Sequence, residues 1–510
     1  MTAIHEIPCD QCLRARLMGI DTHEEAIVFM REDCAICRAE GFTANTRLQV
    51  KSTDRSLIAT LHTVSAGVLP SGVIGFSDSA WEFLNLSPGD EVEVRHAPLV
   101  HSLSALRRKI DGYELSEHEI NGIIGDISRR LYSDIEIAAF LTTCATGGVT
   151  RRETRALTDA MVKSGNRLQW PEYPRVFDKH CIGGLPGNRT TPIVISIASA
   201  AGLLIPKTSS HAITSPAGTA DTMSVLTRVD LSLRALKRVV NETGACLAAG
   251  GRVGLSPTDD ILIRIERALN LDSEGQLVAS VLSKKVAAGS THVLIDMPVG
   301  PTAKLRDQNQ AQRLARLFSA VAEDLQLVLR CVITDGTQPV GYGIGPVEEA
   351  RDVLTVLRNQ AGAPADLADR AVLLASHLLA MASGESDAHC QEQARHLLTS
   401  GAANRQFERI CAAQGGLREP TGARYQAVLQ AGRSGVLAAV DNVRLAQLAK
   451  LAGAPSSPAA GLRLHVKVGE EVSQGQALAT LFATTPGELA YAEEYYSRNH
   501  KLFYVGEPPE

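Results

Sequence analysis

The sequence has no apolar run long enough to cross a bilayer. Its longest, Ile193–Ile205, is 13 residues and is interrupted by Ser and Gly, where a spanning helix needs about 20. There is no N-terminal basic-plus-apolar signal. Cysteine is scarce, 10 in 510 residues, which excludes a disulfide framework and makes a reducing cytoplasm the expected compartment. Charge of one sign is not in excess: 51 basic side chains face 56 acidic ones, for a net charge of -5. Nothing of that kind draws the chain to nucleic acid or to an anionic membrane, so any anion it binds must be held locally.

What is present is the profile of a soluble globular protein, 45% apolar and 21% charged. At about 150 residues per domain the length suggests roughly three domains. Residues 1–98 read as β-rich, with strands expected at Asn45–Thr53, Ser56–Ser65, Gly72–Phe76 and Asp90–Arg95 between Pro/Gly turns. From residue 99 to 170 the period becomes helical. Three capping boxes, Ser116…Glu119, Ser133…Glu136 and Thr150…Glu153, pair a hydroxyl and a carboxylate that can satisfy the orphan N–H groups of a helix start.

Beyond Pro171, strands alternate with loops and helices. Arg175–Phe177, Leu203–Pro206, Val293–Ile295 and Leu327–Thr334 are the strand candidates, with helices from Thr190 or Thr191 and from about Ala220. This alternation predicts an α/β sheet with parallel members over 171–256 and 290–430. The stretch 257–289 is helical again, which predicts a helical domain discontinuous in sequence. Residues 431–510 read as an α+β subdomain: a strand at Ser434–Val440, a helix at Asn442–Leu451 and a hairpin over Leu462–Phe482. That hairpin is similar to the barrel-sandwich of biotinyl and lipoyl carriers, but no lysine stands at a modified tip, so it reads as structural.

The chemistry concentrates in two loops. In 178–191, Asp-Lys-His-Cys-Ile-Gly-Gly-Leu-Pro-Gly-Asn-Arg-Thr-Thr, a strand leads into a glycine-rich turn and then a helix start. Glycines let successive N–H groups point inward, a helix N-terminus adds partial positive charge, Lys179 adds a full one, and Thr190 and Thr191 add hydroxyls. This is an anion site suited to phosphate; the plainer reading is an ordinary strand–turn–helix connection. The second loop, 207–221, packs six Ser/Thr hydroxyls and a glycine between a strand and a helix. Ordinary N-capping uses one.

Together these motifs resemble the thymidine/pyrimidine-nucleoside phosphorylase family, in the branch with an N-terminal extension domain that includes bacterial thymidine phosphorylase-like and archaeal AMP phosphorylase-like proteins. The resemblance spans essentially the whole chain. It implies an α/β fold of nucleoside phosphorylase type, with a helical domain and an α/β sheet domain closing over a cleft, usually in a homodimer or higher homo-oligomer. It implies that Lys179, His180, Gly184, Ser209 and Thr219 grip phosphate and that Ser210, His211, Ala212, Ile213, Thr214 and Ser215 meet the sugar or nucleotide. It further implies Asp272 as proton donor, with Ser280, Lys284 and Lys304 as substrate contacts. Without the family, Asp272 reads as a helix cap.

The implied reaction is phosphorolysis of an N-glycosidic bond: thymidine and phosphate give thymine and 2-deoxyribose 1-phosphate, with Asp272 or His180 as acid and no catalytic cofactor. Cys181 stands where the family commonly has Ser, and a thiol is the weaker donor. His211 stands where an Arg is common; Arg grips a second phosphate bidentately and His does so less well, which favours nucleosides over 5′-monophosphates. The Arg that touches the base in classical members falls at Glu266 or Arg267, depending on a one-residue gap.

Two side features and three competing readings complete the picture. Cys9-x-x-Cys12 and Cys34-x-x-Cys37 have the spacing of a four-thiolate structural zinc site, or are four reduced thiols near a terminus. Gly341-Tyr-Gly-Ile-Gly-Pro needs no function. The rivals are an AMP-type nucleoside 5′-monophosphate phosphorylase giving ribose 1,5-bisphosphate, an anthranilate phosphoribosyltransferase, and an inactive zinc-bearing binding or assembly module. The Gly-Thr-Gly-Gly-Asp loop expected of the second is absent from this sequence.

Overall fold

The structure is a computed structural model, and it describes residues 12–212, 215–269, 271, 273–499 and 501–506. Its compact units are formed by the described residues within Met1–Gly148 and Ile261–Leu271, and by those within Val149–Asp260 and Asp272–Glu510.

In the first unit, β1 (Cys12–Leu17), β2 (Ile27–Arg31), β3 (Arg47–Lys51), β4 (Ser56–Val64), β5 (Val73–Phe76) and β6 (Glu91–His96) close into a barrel of order β1-β5-β2-β4-β3-β6. Alternation puts Leu48, Val50, Val92 and Val94 inside, with Val28, Met30 and Phe76. The last four strands fall where the sequence predicts them. The first two are additions. Arg14–Leu17 pairs in parallel with Val73–Phe76, and Ile27–Arg31 in parallel with Thr60–Val64, contacts between distant segments that no local pattern announces.

The short helices α1 (Ala35–Glu40) and α2 (Asp78–Leu84) fall between strands of the barrel. They are followed by α3 (Leu103–Ile110), α4 (Glu117–Ser128) and α5 (Asp134–Gly147). The capping boxes at Ser116/Glu119 and Ser133/Glu136 form as predicted, and so does Thr150/Glu153 at α6 (Arg151–Lys163) in the second unit. Arg264 reaches Asp134 with both terminal nitrogens at 2.6 and 2.7 Å, which ties Ile261–Leu271 to α5.

The second unit holds two parallel sheets. β7 (Phe177–Cys181) pairs with β10 (His292–Val299), which pairs with β11 (Val328–Asp335); β8 (Ile205–Ser209) pairs with β9 (Ala245–Ala249). The unit also holds α7 (Thr190–Ala200), α8 (Thr219–Leu226), α9 (Leu233–Thr243), the first turn of α10 (Pro257–Leu269), whose remainder belongs to the first unit, α11 (Glu274–Ala287) and α12 (Gln308–Asp324). The predicted strand at Arg175–Phe177 lies two residues later. Its Asp-Lys-His run reads as loop in sequence, yet Asp178 and Lys179 are fully buried, because each charge finds a partner.

After β12 (Gly343–Ile344), helices α13 (Pro346–Leu357), α14 (Ala365–Ser383), α15 (Asp387–Thr399) and α16 (Ala402–Ala413) cover α7. The glycine cluster before α13 spends its amides internally: Tyr342 and Gly343 donate to Asp352 at 2.6 and 2.7 Å, and Gly345 to Glu349 at 3.2 Å.

The C-terminal strands β13 (Tyr425–Gln430), β14 (Gly435–Val440), β15 (Gly461–Leu464), β16 (Glu471–Val472), β17 (Ala477–Ala483) and β18 (Phe503–Val505) share a core with α17 (Asn442–Leu451) and α18 (Pro486–Arg498). β15 and β17 make the predicted antiparallel pair, while β16 leaves the hairpin to pair with β14. Among the described residues no helix is long and apolar enough to cross a membrane.

Every residue of α7 from Thr190 to Ser199 is buried, so the helix behind the glycine loop is core on all sides. Ile195→Ala is therefore expected to lower unfolding stability by about 2–5 kcal/mol, read as a fall in the urea midpoint; a change under about 1 kcal/mol would show that α7 is not core.

Candidate active site

The site begins with alternation along β7. Asp178 and His180 project to one face, Lys179 and Cys181 to the other. On the first face, Lys207 of β8 and Lys285 of α11 stand 3.3 and 2.8 Å from the two Asp178 oxygens, all three side chains buried. Burial opposes ionisation of Asp178, but Lys207 and Lys285 outweigh it and hold the carboxyl below its usual range. Lys207 is pulled below the usual lysine range by burial, against the attraction of Asp178 and reinforced by Lys285.

His180 is held well below its ordinary pKa, first by burial and then by the charges of Lys285, Lys207, Lys284 and Lys179. It is a neutral imidazole at pH 7, one N–H donor and one acceptor. That changes its expected role: the neutral ring lacks the imidazolium proton that a general acid delivers.

On the opposite face the Lys179 ammonium is fully buried beneath the start of α7. It donates to Thr190 at 2.9 Å and Thr191 at 3.4 Å and stands 3.5 Å from Asp296 of β10. Asp296 in turn accepts from Thr334 at 2.7 Å. Cys181 is pushed up to about 12 by burial and by Asp296, and its sulfur accepts from the Asn188 amide at 3.4 Å. It stays a thiol.

The glycine loop closes against Lys304. Gly184 has φ +80°, and a Cβ there would lie 2.5 Å from the Lys304 backbone nitrogen; only glycine permits that approach. Arg189 then links the two loops. It donates to Thr219 at 2.9 Å, to the Ala217 carbonyl at 2.8 Å and to the buried Glu349 at 2.7 Å. Burial raises Glu349 in spite of Arg189.

In the second loop Asp221 is the clamp, accepting from Ala212 N–H at 2.6 Å and Gly218 N–H at 2.8 Å and standing 2.5 Å from His211 Nδ1. Ser209 ends β8, where its carbonyl accepts from Gly250 at 3.0 Å. Ser210 is exposed, and Ser215 donates to the Ala217 carbonyl at 3.0 Å.

On α11, Ser280 and Lys284 lie one turn apart and both meet Asp259 of α10, at 2.9 and 2.5 Å. Ile213, Thr214 and Asp272 lie outside the described residues. The structure thus joins Lys179 with Thr190 and Thr191, Gly184 with Lys304, Arg189 with Thr219, and Ser280 with Lys284. Arg189, Asp221, Asp259, Asp296 and Glu349 were not singled out from sequence. Asp221 alone left a local signal there, as the fourth residue of a Gly-Thr-Ala-Asp helix start.

Of the cysteine pairs, Cys9 lies outside the described residues, Cys12 opens β1 and is disulfide-bonded, so it is not a reduced thiol, and Cys34 precedes α1, which carries Cys37. Burial and the neighbouring Cys34 push the Cys37 thiol up to about 12. Among the described residues no group of three or more His, Cys, Asp or Glu is placed to hold a metal ion.

Known proteins resemble this chain over nearly its whole length. Residues 103–165 match the model of the glycosyl transferase family helical bundle domain, and residues 436–502 the pyrimidine nucleoside phosphorylase C-terminal domain. A protein of Polaromonas sp. named "Putative thymidine phosphorylase" is 52% identical over 97% of this chain and 96% of its own. One of Cupriavidus necator, "Putative thymidine phosphorylase 1", is 55% identical over 94% of this chain and 92% of its own. The chain belongs to the thymidine/pyrimidine nucleoside phosphorylase family. The crystal structure of anthranilate phosphoribosyltransferase from Thermus thermophilus covers 61% of this chain and 99% of its own, with a TM-score of 0.51 and 19% identity. That likeness extends to the fold alone.

The lowered His180 pKa fixes a pH dependence for this family member. The unfolded chain protonates the ring near pH 6.5 while the folded one refuses the proton. The stability that His180 contributes is therefore present above about pH 6.5 and lost as pH falls below it. Melting between pH 8 and 5 in phosphate-free buffer should show this loss, reduced in His180→Asn and reduced again by saturating phosphate. A His180 ring signal that titrates at its ordinary pKa in phosphate-free protein would contradict the assignment.

Proposed function

We propose that this chain is a pentosyltransferase that cleaves a pyrimidine nucleoside with phosphate, converting thymidine to thymine and 2-deoxyribose 1-phosphate. The observation that carries the reading is the cationic niche around β7, where Lys179, Lys207, Lys284 and Lys285 face Asp178, Asp259 and Asp296, a formal excess of positive charge bounded by the Gly184 loop. An anion supplied from solution completes it.

In this reading phosphate is held by Lys179, Gly184, Ser209 and Thr219. The nucleoside lies against Ser210–Ser215, Ser280, Lys284 and Lys304, and Asp272 protonates the departing base. His180, neutral before phosphate arrives, donates a hydrogen bond to the anion and gains basicity once the anion offsets its lysine neighbours. His211 is engaged by Asp221, a carboxylate that a 5′-phosphate would have to displace, which supports nucleosides over nucleotides. No catalytic cofactor is required.

The working form is read as a cytoplasmic homodimer; the spacing of Cys9, Cys12, Cys34 and Cys37 is that of a structural zinc site, which Cys12, disulfide-bonded in this structure, completes only when reduced. Metal analysis should find one zinc per chain, and sub-stoichiometric zinc would end that part of the reading.

The deciding assay incubates the protein with phosphate and, separately, thymidine, uridine, cytidine, AMP and CMP, and measures free base. Base should be released from thymidine; release from the nucleotides only would overturn the reading in favour of a monophosphate phosphorylase, and release from none would favour a binding module. Lys179→Ala should lower kcat/KM by at least about 10²-fold; normal activity would mean that the phosphate loop is misassigned.

A further inference from the structure

Asp259 sits in the first turn of α10, a position where acidic residues ordinarily serve their own helix. Its side chain does something else. One oxygen, Oδ2, accepts the Ser280 hydroxyl at 2.9 Å and stands 2.5 Å from the Lys284 ammonium, and both partners are on α11. Asp259 is only 1% exposed, so these contacts, not water, satisfy its charge.

One turn before Ser280 on the same face of α11 lies Gln276. It is buried, and neither its amide oxygen nor its amide nitrogen is hydrogen-bonded to a described residue. The face that carries Ser280 and Lys284 therefore holds hydrogen-bonding capacity that no described residue uses.

A serine hydroxyl has one proton and can either donate to a ligand or accept from it. With that proton committed to Asp259, Ser280 Oγ offers only lone pairs. Lys284, a cation held by the same carboxylate, can only donate. Asp259 thus turns an ambiguous pair into a fixed acceptor beside a fixed donor. The complementary ligand edge is a ring N–H next to a carbonyl, the imide of thymine or uracil. Cytosine and adenine present a bare ring nitrogen at that edge, lone pair against lone pair.

We propose that Asp259 is a positioning residue that sets base selectivity for imide-bearing bases by fixing the direction of the Ser280 proton. The proposal rests on the reading that Ser280 and Lys284 meet the base.

The test compares kcat/KM for thymidine and cytidine in the full-length protein. Asp259→Asn places an amide donor beside Ser280 and releases its proton toward the ligand. The thymidine-to-cytidine ratio is expected to fall at least about tenfold, with KM for phosphate unchanged within about threefold, while Asp259→Glu keeps the wild-type preference. Ser280→Ala, which deletes the acceptor, should collapse the ratio in the same way, and adding Asp259→Asn to it should change the ratio no further.

A ratio unchanged in Asp259→Asn overturns the proposal while wild-type turnover leaves the phosphorylase reading intact. If that variant does not fold, an unchanged ratio in Ser280→Ala overturns it equally. Wild-type protein that releases base from neither nucleoside overturns both.

Discussion

Asp178 is the interaction on which the second unit is organised. A single buried carboxylate between Lys207 and Lys285 fastens three elements, β7, β8 and α11, at one point. Taking three charged groups out of water costs several kcal/mol for each ion, and the arrangement persists only because the ions compensate one another. Two lysines against one aspartate leave positive charge over. That surplus adds to burial in keeping His180 neutral, and in the proposed reaction it draws the anion to the end of the strand that carries Lys179. Packing and the proposed affinity for phosphate then have one electrostatic origin.

The rest of the niche is built by segments that distribute this charge. Asp296 answers Lys179 from the neighbouring strand, Asp259 answers Lys284 from the neighbouring helix, and Glu349 answers Arg189 from α13. Each cation is aimed by a carboxylate from a different part of the chain. A site assembled in this way is stiff, because moving one cation separates a pair in a medium that screens poorly. Lys179 is fully buried, yet its hydrogen bonds end on the hydroxyls that open α7, so its charge reinforces the partial charge of that helix start, where the proposed reaction places the anion.

Features written within a few residues of one another were legible in the sequence. The capping boxes at Ser116, Ser133 and Thr150, the helix start at Thr190 and the helix Asn442–Leu451 all form where local chemistry puts them. The two hydroxyl- and glycine-rich loops and the family likeness were legible for the same reason, as long runs of consecutive residues. Closure of the barrel was not, since β1 and β2 depend on parallel partners far along the chain. Nor were Glu349, 160 residues from Arg189, or Asp259, whose position in α10 suggests a helix-end role while its carboxylate serves α11. The neutrality of His180 also escaped, because it arises from burial and from lysines on three different elements. Cys181 was legible as a departure, and the structure adds its consequence: burial beside Asp296 keeps it a thiol.

The alternation of β7 carries a last consequence. Because Asp178 and His180 occupy one side of the strand and Lys179 and Cys181 the other, two chemically distinct compartments share five residues of backbone. Exchange of a hydroxyl for the Cys181 thiol alters the wall beside Asn188 and Asp296, while Lys207 and Lys285 flank Asp178 on the other. The strand thus sets a neutral imidazole and a buried thiol on opposite walls from adjacent positions, so that a substitution at Cys181 meets Asn188 and Asp296 first.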